Sequence, residues 1–515
     1  MDNLEYSRNI SPDGDRMHTL FDNIHGHIEL PGFFFSIIDT PQFQRLRELQ
    51  QLGCTYMVFP GGRHTRFEHC IGVGYLAGKM LGNIAKKQPE LEISPREMRL
   101  VQIAGLCHDL GHGPYSHAFE GWVQKLPGRE NWHHEEMSIK MLEYMIDSNA
   151  IDFLEKEDIT FISELITGTP TGSRRTERRF LFDIVSNSRN SVDVDKFDYL
   201  LRDSYHLKIT SFNPERLMLH CRVIDDEICF NAKSCFELYD MFHARYSLWK
   251  QVYSHRVTKS IEYMISDAYS LADPIFHISD MVDDPEEYLH LTDSIVRNFA
   301  MSKDPNMKPA QDLIRRIQTR DLYKMVDSVL VSSTNYEEVK KLDNRALLEC
   351  ARKDSGLQER DFILQKQRIN YALRDQNPVD SVHFYDPKNY TEKVTVPKEE
   401  VALVLPSQFS EVMLRVFTRE RSKAKEIKHM WDGFIKAHEA LEFVSSPSRV
   451  SLTLRPSPMR PKLASKVIIA LQAPHTPLYS STSENGKEAE MVATTSGADG
   501  DDAFRKMPQK KLFQD

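Results

Sequence analysis

Four residues of this sequence have the chemistry of a metal site: His69, the adjacent pair His108-Asp109, and Asp195. Imidazole and carboxylate together suit first-row divalent ions such as Zn, Fe, Mn or Ni. Each sits in an otherwise apolar helical setting. His69 lies in RFEHC at a helix start, His108-Asp109 close the run PREMRLVQIAGLCHDL, and Asp195 stands in SVDVDKFDYLLRD with Asp193, Asp198 and Asp203. Polar groups that interrupt packed helices need partners, and a shared ion supplies them. Neighbouring side chains on a helix point about 100° apart, so His108 and Asp109 both reach one ion only near a helix end or an open edge. Gly111, Gly113 and Pro114 leave such an opening. Read singly, His69 or Asp195 is an ordinary hydrogen-bonded group, and the HDLGHG cluster carries most of the signal. His108 and His112 have the spacing of an HExxH zinc motif, but position 109 is Asp and that version is rejected.

The elements that must position these residues are mostly helices. From Met17 to about Phe299 apolar positions recur at helical spacing. Asp39-Thr40-Pro41 supplies a cap and a proline for a short helix. The Gly-rich segment 67–85 predicts a closely packed, buried helix, and 95–110 predicts a second that ends at His108-Asp109. Further helices are expected near 134–149, 158–167 and 236–271. Beyond residue 305, helices are expected over 309–327 and 336–352. Strand-like pieces follow in DFILQKQRINYAL, VDSVHFYD and TEKVTV, and a return to helix over 407–440. The stretch from about 444 is Ser/Pro-rich, and the chain turns polar after 480, which predicts disorder there.

Composition bounds the classes. The chain has 515 residues, 40% hydrophobic and 27% charged, with 66 Lys+Arg against 75 Asp+Glu and a net charge of −9. This supports a substantial core and excludes a collagen, a small disulfide scaffold and a wholly disordered chain. The acidic balance argues against a generally basic nucleic-acid coat, though not against a local basic pocket. Seven cysteines form no CxxC pair, so a zinc knuckle and a disulfide framework have little support. The apolar runs are too short to span a bilayer and the N-terminus has no secretory core, so an intracellular, non-membrane protein is expected.

The surrounding text carries a resemblance. DNIHGHIEL, DTPQFQRLRELQQLG, FPGGRHTRFEHCIGVGYLAG, QIAGLCHDLGHGPYSHAFE and VDVDKFDYLLRD resemble the HD superfamily of metal-dependent phosphohydrolases. More specifically, they resemble its family of SAM- and HD-domain-containing deoxynucleoside triphosphate triphosphohydrolases. The similarity covers roughly residues 17–430, and the family's SAM domain has no counterpart in this sequence. The fold it implies is mainly α, an HD-superfamily helical core with a smaller α+β C-terminal lobe. The division expected is a flexible segment over 1–16, an HD catalytic domain over 17–305, a regulatory and oligomerisation lobe over 306–480, and a disordered tail over 481–515.

The resemblance also implies roles. His69, His108, Asp109 and Asp195 ligate one tightly held divalent metal (Zn, Fe or Mn), with Mg accompanying the nucleotide phosphates. Water attacks the α-phosphorus of a bound deoxynucleotide, releasing a deoxynucleoside and intact triphosphate. His112, His117, Glu120 and His134 form an auxiliary group for proton transfer; the family carries Asp where this chain has Glu120, and His133 is left out. Arg66 contacts the α-phosphate, and Lys196 and Arg245 contact the β- and γ-phosphates with Tyr199 beside them. Gln51, Leu52, Asp203 and Tyr253 select the deoxy sugar, and His255 lines the base.

The family is activated by GTP and dNTP and closes as a homotetramer. Asp39, Gln44 and Arg47 match its guanine-reading group, and His18 stands where it carries Lys. Arg216 and Lys233 match the second regulatory pocket, while Glu215, Asn231 and Glu237 depart from it. The expectation is activation with altered nucleotide preference or a higher activator requirement. Location in the nucleus, with the cytoplasm as a second compartment, lowered dNTP pools and restriction of viral replication are implied in the same way. Thr476, before a proline, resembles a regulated phosphorylation site. Two alternatives stand beside this reading. One is another HD phosphohydrolase acting on nucleoside monophosphates or cyclic nucleotides. The other is a single-stranded nucleic-acid-binding scaffold using RRTERR at 174–179 and RERSKAKEIK at 419–428.

Overall fold

A computed structural model describes residues 16–445 apart from position 403. The expected loose N-terminal segment, the tail beyond 480 and Thr476 lie outside the described residues, Arg16 excepted.

The first element among the described residues is a hairpin, not a helix. β1 (Met17–Asp22) pairs antiparallel with β2 (Gly26–Pro31). The long helices follow: α1 (Arg66–Lys87), α2 (Pro95–Cys107), α3 (His117–Val123), α4 (His134–Ser148), α5 (Lys156–Thr167) and α6 (Val194–Leu207). After a second hairpin, β3 (Cys221–Ile224) and β4 (Glu227–Asn231), come α7 (Cys235–Leu248) and α8 (Arg256–Phe276). The helix expected over 236–271 is therefore two. A π turn over Trp249–Tyr253 ends the first, and His255 caps the second by accepting from the Val257 amide at 3.3 Å. Such turns break helical register and often mark functional positions.

The later part mixes classes, as expected, with two corrections of detail. After α9 (Lys308–Gln318), residues 324–331 form strand β5 rather than more helix. Strand β6 (Phe362–Asn370), β7 (Phe384–Asp386) and β8 (Asn389–Val394) fall where strands were expected. Strand β9 (Ser410–Thr418) replaces the first part of the helix expected over 407–440, and only α10 (Ala424–Ala437) realises it. β9 is the inner strand between β5 and β6, and β10 (Val444–Ser445) completes that sheet in the order β10-β5-β9-β6. Its Val412, Leu414 and Val416 alternate into a core with Ile427, Trp431 and Phe434 of α10. Its second face, Glu411, Met413, Arg415 and Phe417, is also largely buried, and Met413 and Phe417 there break the simple alternation that marks a half-exposed strand. The architecture is mainly helical with a smaller α+β lobe.

The site depends on how α1, α2 and α6 come together. Thr65 and Glu68 form a capping box at the start of α1, and Ser94 with Glu97 does the same for α2, whose Pro95 takes the first helical position. These caps fix where His69 and His108 begin and end their helices. Gly72 is the contact point with α6: any side chain there would collide with the Asp198 carboxylate and the Arg202 guanidinium. At Gly111 a side chain would strike the backbone at the start of α4, so that glycine lets the auxiliary histidines approach His108-Asp109.

Candidate metal centre and its cleft

His69 sits in the first turn of α1, fully buried. Its Nδ1 donates to Asp198 Oδ2 at 2.7 Å, leaving Nε2 to face Asp195 Oδ1 at 3.1 Å and Asp109 Oδ2 at 3.7 Å. His108 follows the last residue of α2, at the helix end the pair requires. Its Nδ1 donates to the Gly105 carbonyl at 2.8 Å, and its Nε2 lies 3.5 Å from both Asp109 Oδ1 and Asp195 Oδ1. That Nε2 is buried and has no hydrogen-bond partner among the described residues.

These observations fit a divalent ion. Ligand atoms about 2.0–2.2 Å from a first-row ion lie about 3–3.6 Å from one another, close to the separations seen here. Both histidines tie down Nδ1 and turn Nε2 inward, the arrangement that orients imidazole ligands. The electrostatics agree. Burial disfavours an imidazolium at His69, yet Asp195 and Asp198 outweigh it and hold its pKa at about 10. At His108 burial is likewise overcome, by Asp109 and Asp195. Burial would push both carboxylates up, but Arg66 and His108 hold Asp109 far down, and His108 and His69 hold Asp195 down. The carboxylates therefore call for positive charge between them, which a metal cation supplies in place of protons.

A buried network braces this ring. Asp198, wholly buried, accepts from His69, from His25 Nε2 at 2.7 Å and from Arg202 Nε at 2.8 Å, and Arg202 also donates to Asp22 at 2.8 Å. Asp22 in turn accepts the Ile24 and His25 amides, which ties the N-terminal hairpin to α6. The four acids of SVDVDKFDYLLRD thus divide their work. Asp193 caps α6 and receives Lys196, Asp195 faces the histidines, Asp198 braces His69, and Asp203 looks the other way.

His112 links the ring to a second cluster. Its Nε2 is 3.3 Å from Asp109 Oδ1, and its ring stacks on His134 at 3.8 Å. Burial and the nearby charges of Arg66 and His134 keep His112 neutral. Glu120 gathers three imidazoles: His134 at 3.2 Å, His117 at 3.4 Å and His133 at 3.1 Å. His133, which sequence reasoning left out, belongs to this cluster by position. Burial works against a charged His134, but Glu120 and Glu135 raise its pKa, and the His117 and His134 contacts hold Glu120 low.

Arg66 is 3% exposed, pairs with Asp109 and donates to the Ser116 hydroxyl from Nε at 3.1 Å and Nη2 at 2.9 Å. Its Nη2 also approaches the Gln51 carbonyl at 3.4 Å. Tyr115 and Ser116 both adopt left-handed backbone, and half-buried Asp293 holds the turn by accepting the Tyr115 amide at 2.6 Å and the Gln50 amide at 3.0 Å. Lys196 is paired with Asp193 at 3.0 Å, and Arg245 donates to the Asn370 carbonyl; both act electrostatically on half-buried Tyr199. Asp203 receives the Tyr253 hydroxyl and His64 Nε2. Leu52 heads the turn Gly53–Met57, and His255 sits edge-on to Phe59 at 5.4 Å.

The regulatory candidates lie elsewhere. Arg47 donates to Gln44 at 2.8 Å and stacks on Phe67, while Gln44 donates to the Ile38 carbonyl beside exposed Asp39. His18 packs on Phe35 at 4.7 Å. Arg216 is ion-paired with Glu237, Lys79 with Glu215 at 2.6 Å, and Lys233 is exposed. No helix among the described residues is long and apolar enough to cross a membrane.

Comparison with known proteins agrees with this geometry. The HD domain family matches residues 66–202, and the HD associated region matches 212–372. The chain is 47% identical over 432 residues to the deoxynucleoside triphosphate triphosphohydrolase SAMHD1 homolog of Dictyostelium discoideum, which spans 83% of each chain. This chain belongs to the SAMHD1 family of HD-domain proteins. Human SAMHD1, a deoxynucleoside triphosphate triphosphohydrolase, is 40% identical over 449 residues, covering 79% of this chain and 71% of that protein. A putative HD domain-containing protein of Acanthamoeba polyphaga mimivirus is 32% identical over 428 residues, covering 77% and 91%. As a SAMHD1-family member the chain is a metal-dependent phosphohydrolase of the HD superfamily, and the motif-based resemblance is borne out.

Proposed function

We propose that this enzyme hydrolyses deoxynucleoside triphosphates to a deoxynucleoside and inorganic triphosphate. The observation that carries the reading is an order of groups along α6. Asp195 belongs to the metal-donor ring, Lys196 is the adjacent cation, and Asp203, two turns on, receives the Tyr253 hydroxyl. A nucleoside triphosphate presents a phosphate chain and a sugar on either side of its α-phosphorus, and this order can meet both. The relatives named deoxynucleoside triphosphate triphosphohydrolase support the substrate class.

His69, His108, Asp109 and Asp195 would hold the ion, which supplies a Lewis acid at the α-phosphate and lowers the pKa of water. The remaining work falls to side chains. Arg66 turns its guanidinium from Asp109 and Ser116 towards the α-phosphate. Lys196 and Arg245 exchange Asp193 and the Asn370 carbonyl for β- and γ-oxygens. Water adds to the α-phosphorus as its bond to the 5′ oxygen breaks, and that oxygen needs a proton to leave. The histidine pair on Glu120, His117 and His134, supplies it, and neutral His112 orients His134 by stacking. Tyr253 packs beneath the sugar while Gln51 and Asp203 take the 3′-OH, so a 2′-OH is excluded sterically. Leu52 and His255 complete the sugar and base walls.

Regulation belongs to the same proposal. GTP occupies the edge formed by His18, Asp39, Gln44 and Arg47, a dNTP occupies the surface of Arg216 and Lys233, and subunits then close as a homotetramer. The Arg47–Phe67 stack adjoins Arg66, which gives the first pocket a short path to the cleft. Glu237 already satisfies Arg216, so a second activator must displace it. The domain division near residue 305, the choice among Zn, Fe and Mn, the nuclear location and the antiviral role are carried over from the family resemblance. Incubation with dGTP and a divalent ion, with and without GTP, should give deoxyguanosine and triphosphate in equal amounts. Pyrophosphate or monophosphate alone would instead point to a different HD phosphohydrolase.

A further inference from the structure

Three of the residues read above as sugar contacts converge on one histidine that has no assigned role. His64 is 3% exposed and lies in the extended segment just before α1. Its backbone carbonyl accepts the Gln51 amide at 3.0 Å, and its ring Nε2 donates to Asp203 Oδ1 at 2.6 Å. The other oxygen of Asp203 receives the Tyr253 hydroxyl. The ring is stacked on His206 of α6 at 4.4 Å and 10°, which fixes its plane. Its Nδ1 is buried and has no hydrogen-bond partner among the described residues, as is Gln51 Oε1.

We infer that His64 is a positioning residue for sugar selection, holding Gln51 by its backbone and the Asp203–Tyr253 pair by its ring. The inference rests on the deoxynucleotide reading and deepens it. Asp203 has two carboxylate oxygens and a side-chain donor on each, so its plane is over-determined before any ligand arrives. Such preorganisation is what a site needs to reject one extra hydroxyl, because the tolerance lies in how far Tyr253 and Asp203 can move apart. The Nε2 atom does the work, and Gln can place an amide nitrogen near that point whereas Phe keeps only the stacked ring and its volume.

The test compares wild type, His64→Phe and His64→Gln on dGTP and GTP as substrates, with bound metal and thermal midpoint measured on each. His64→Phe should raise KM for dGTP by at least about tenfold and narrow the deoxy-over-ribo ratio of kcat/KM, with metal content unchanged. His64→Gln should recover most of both. A His64→Phe enzyme with wild-type KM and discrimination overturns the inference. So does a loss that falls equally on both nucleotides and is not rescued by His64→Gln, which marks a purely structural role. Absence of triphosphate from the wild type would sink the substrate reading itself, and this inference with it.

Discussion

Two regions of the molecule pair cations with oxygens, yet they do so in different surroundings. In the cleft, Arg66 and Asp109 are nearly inaccessible, Lys196 is mostly covered, and the Asp198–Arg202 pair is wholly buried. On the outer face, Arg216 has half its side chain in water and Lys79 and Glu215 are exposed or half-exposed. The same ion pair differs greatly in worth between the two. Low effective dielectric strengthens the buried contacts and makes loss of one partner costly. Water and salt reduce an exposed pair to about 0–1 kcal/mol. Loss of one partner is therefore costly in the cleft, whereas on the outer face ion pairs count in small steps.

The sharpest way to break the contrast is at the ring. His108→Ala with Asp109→Ala removes two of four donors and should abolish turnover, by at least about a thousandfold, together with the bound metal. Elemental analysis beside the product assay checks this, and retained turnover would refute the metal site. Asp198→Asn leaves every donor in place but withdraws the carboxylate that orients His69 and neutralises Arg202. Metal affinity should fall by about 10–100-fold, and stability by about 3 kcal/mol, since a buried guanidinium loses its main partner. Metal competition titrations and denaturant unfolding read the two effects separately.

The Glu120 cluster gives an intermediate case with a pH signature. The folded pKa of His134 is raised by Glu120, so the contact's stabilisation is fully present below about pH 6.5 and is lost as pH rises through the raised value. Glu120 is depressed, so its share appears above about pH 4.3 and fades as pH falls towards its lowered value. Stability conferred by the cluster should thus peak in mildly acidic solution. In Glu120→Gln that peak should flatten, and unfolding midpoints measured across pH 4–8 would show it. Identical pH profiles in the two proteins would mean that these histidines contribute no ion pairing.

How much of this was legible in the chain follows from sequence distance. The residues of the candidate metal centre were readable because each stands in a local motif, and the glycines after His108-Asp109 announced the helix end. The bracing was not. Asp22 and His25 reach α6 across more than 170 residues, and Asp293 reaches Tyr115 across 178. Nothing in ISDMVDDPEEYLHLTDSIV distinguishes Asp293 from its acidic neighbours. Ser116 serves through a left-handed backbone that no serine advertises. The helices read well where one face is apolar, whereas β9, with Met413 and Phe417 beside Glu411 and Arg415 on its second face, lacks the clean alternation of a half-exposed strand. His133 was set aside in favour of His134, which fits the family pattern, and its contact with Glu120 depends on how the 124–133 loop folds back.

The smallest expected effect lies on the outer face, and it tests whether departures from the family pattern there act as weak tuning. Glu237→Gln frees Arg216 without adding charge. If a triphosphate activator must displace Glu237, the concentration for half-maximal activation should fall by about two- to fivefold, the size of an exposed ion pair. The gain should shrink as salt rises, because screening weakens the attraction that the freed guanidinium exerts. Activity at saturating activator should stay at the wild-type value, since no cleft residue is touched. Activator titrations at low and high ionic strength check both points. A shift of a hundredfold would place Arg216 in a buried, cleft-like environment and erase the distinction between the two regions; no shift at all would remove Arg216 from activator binding.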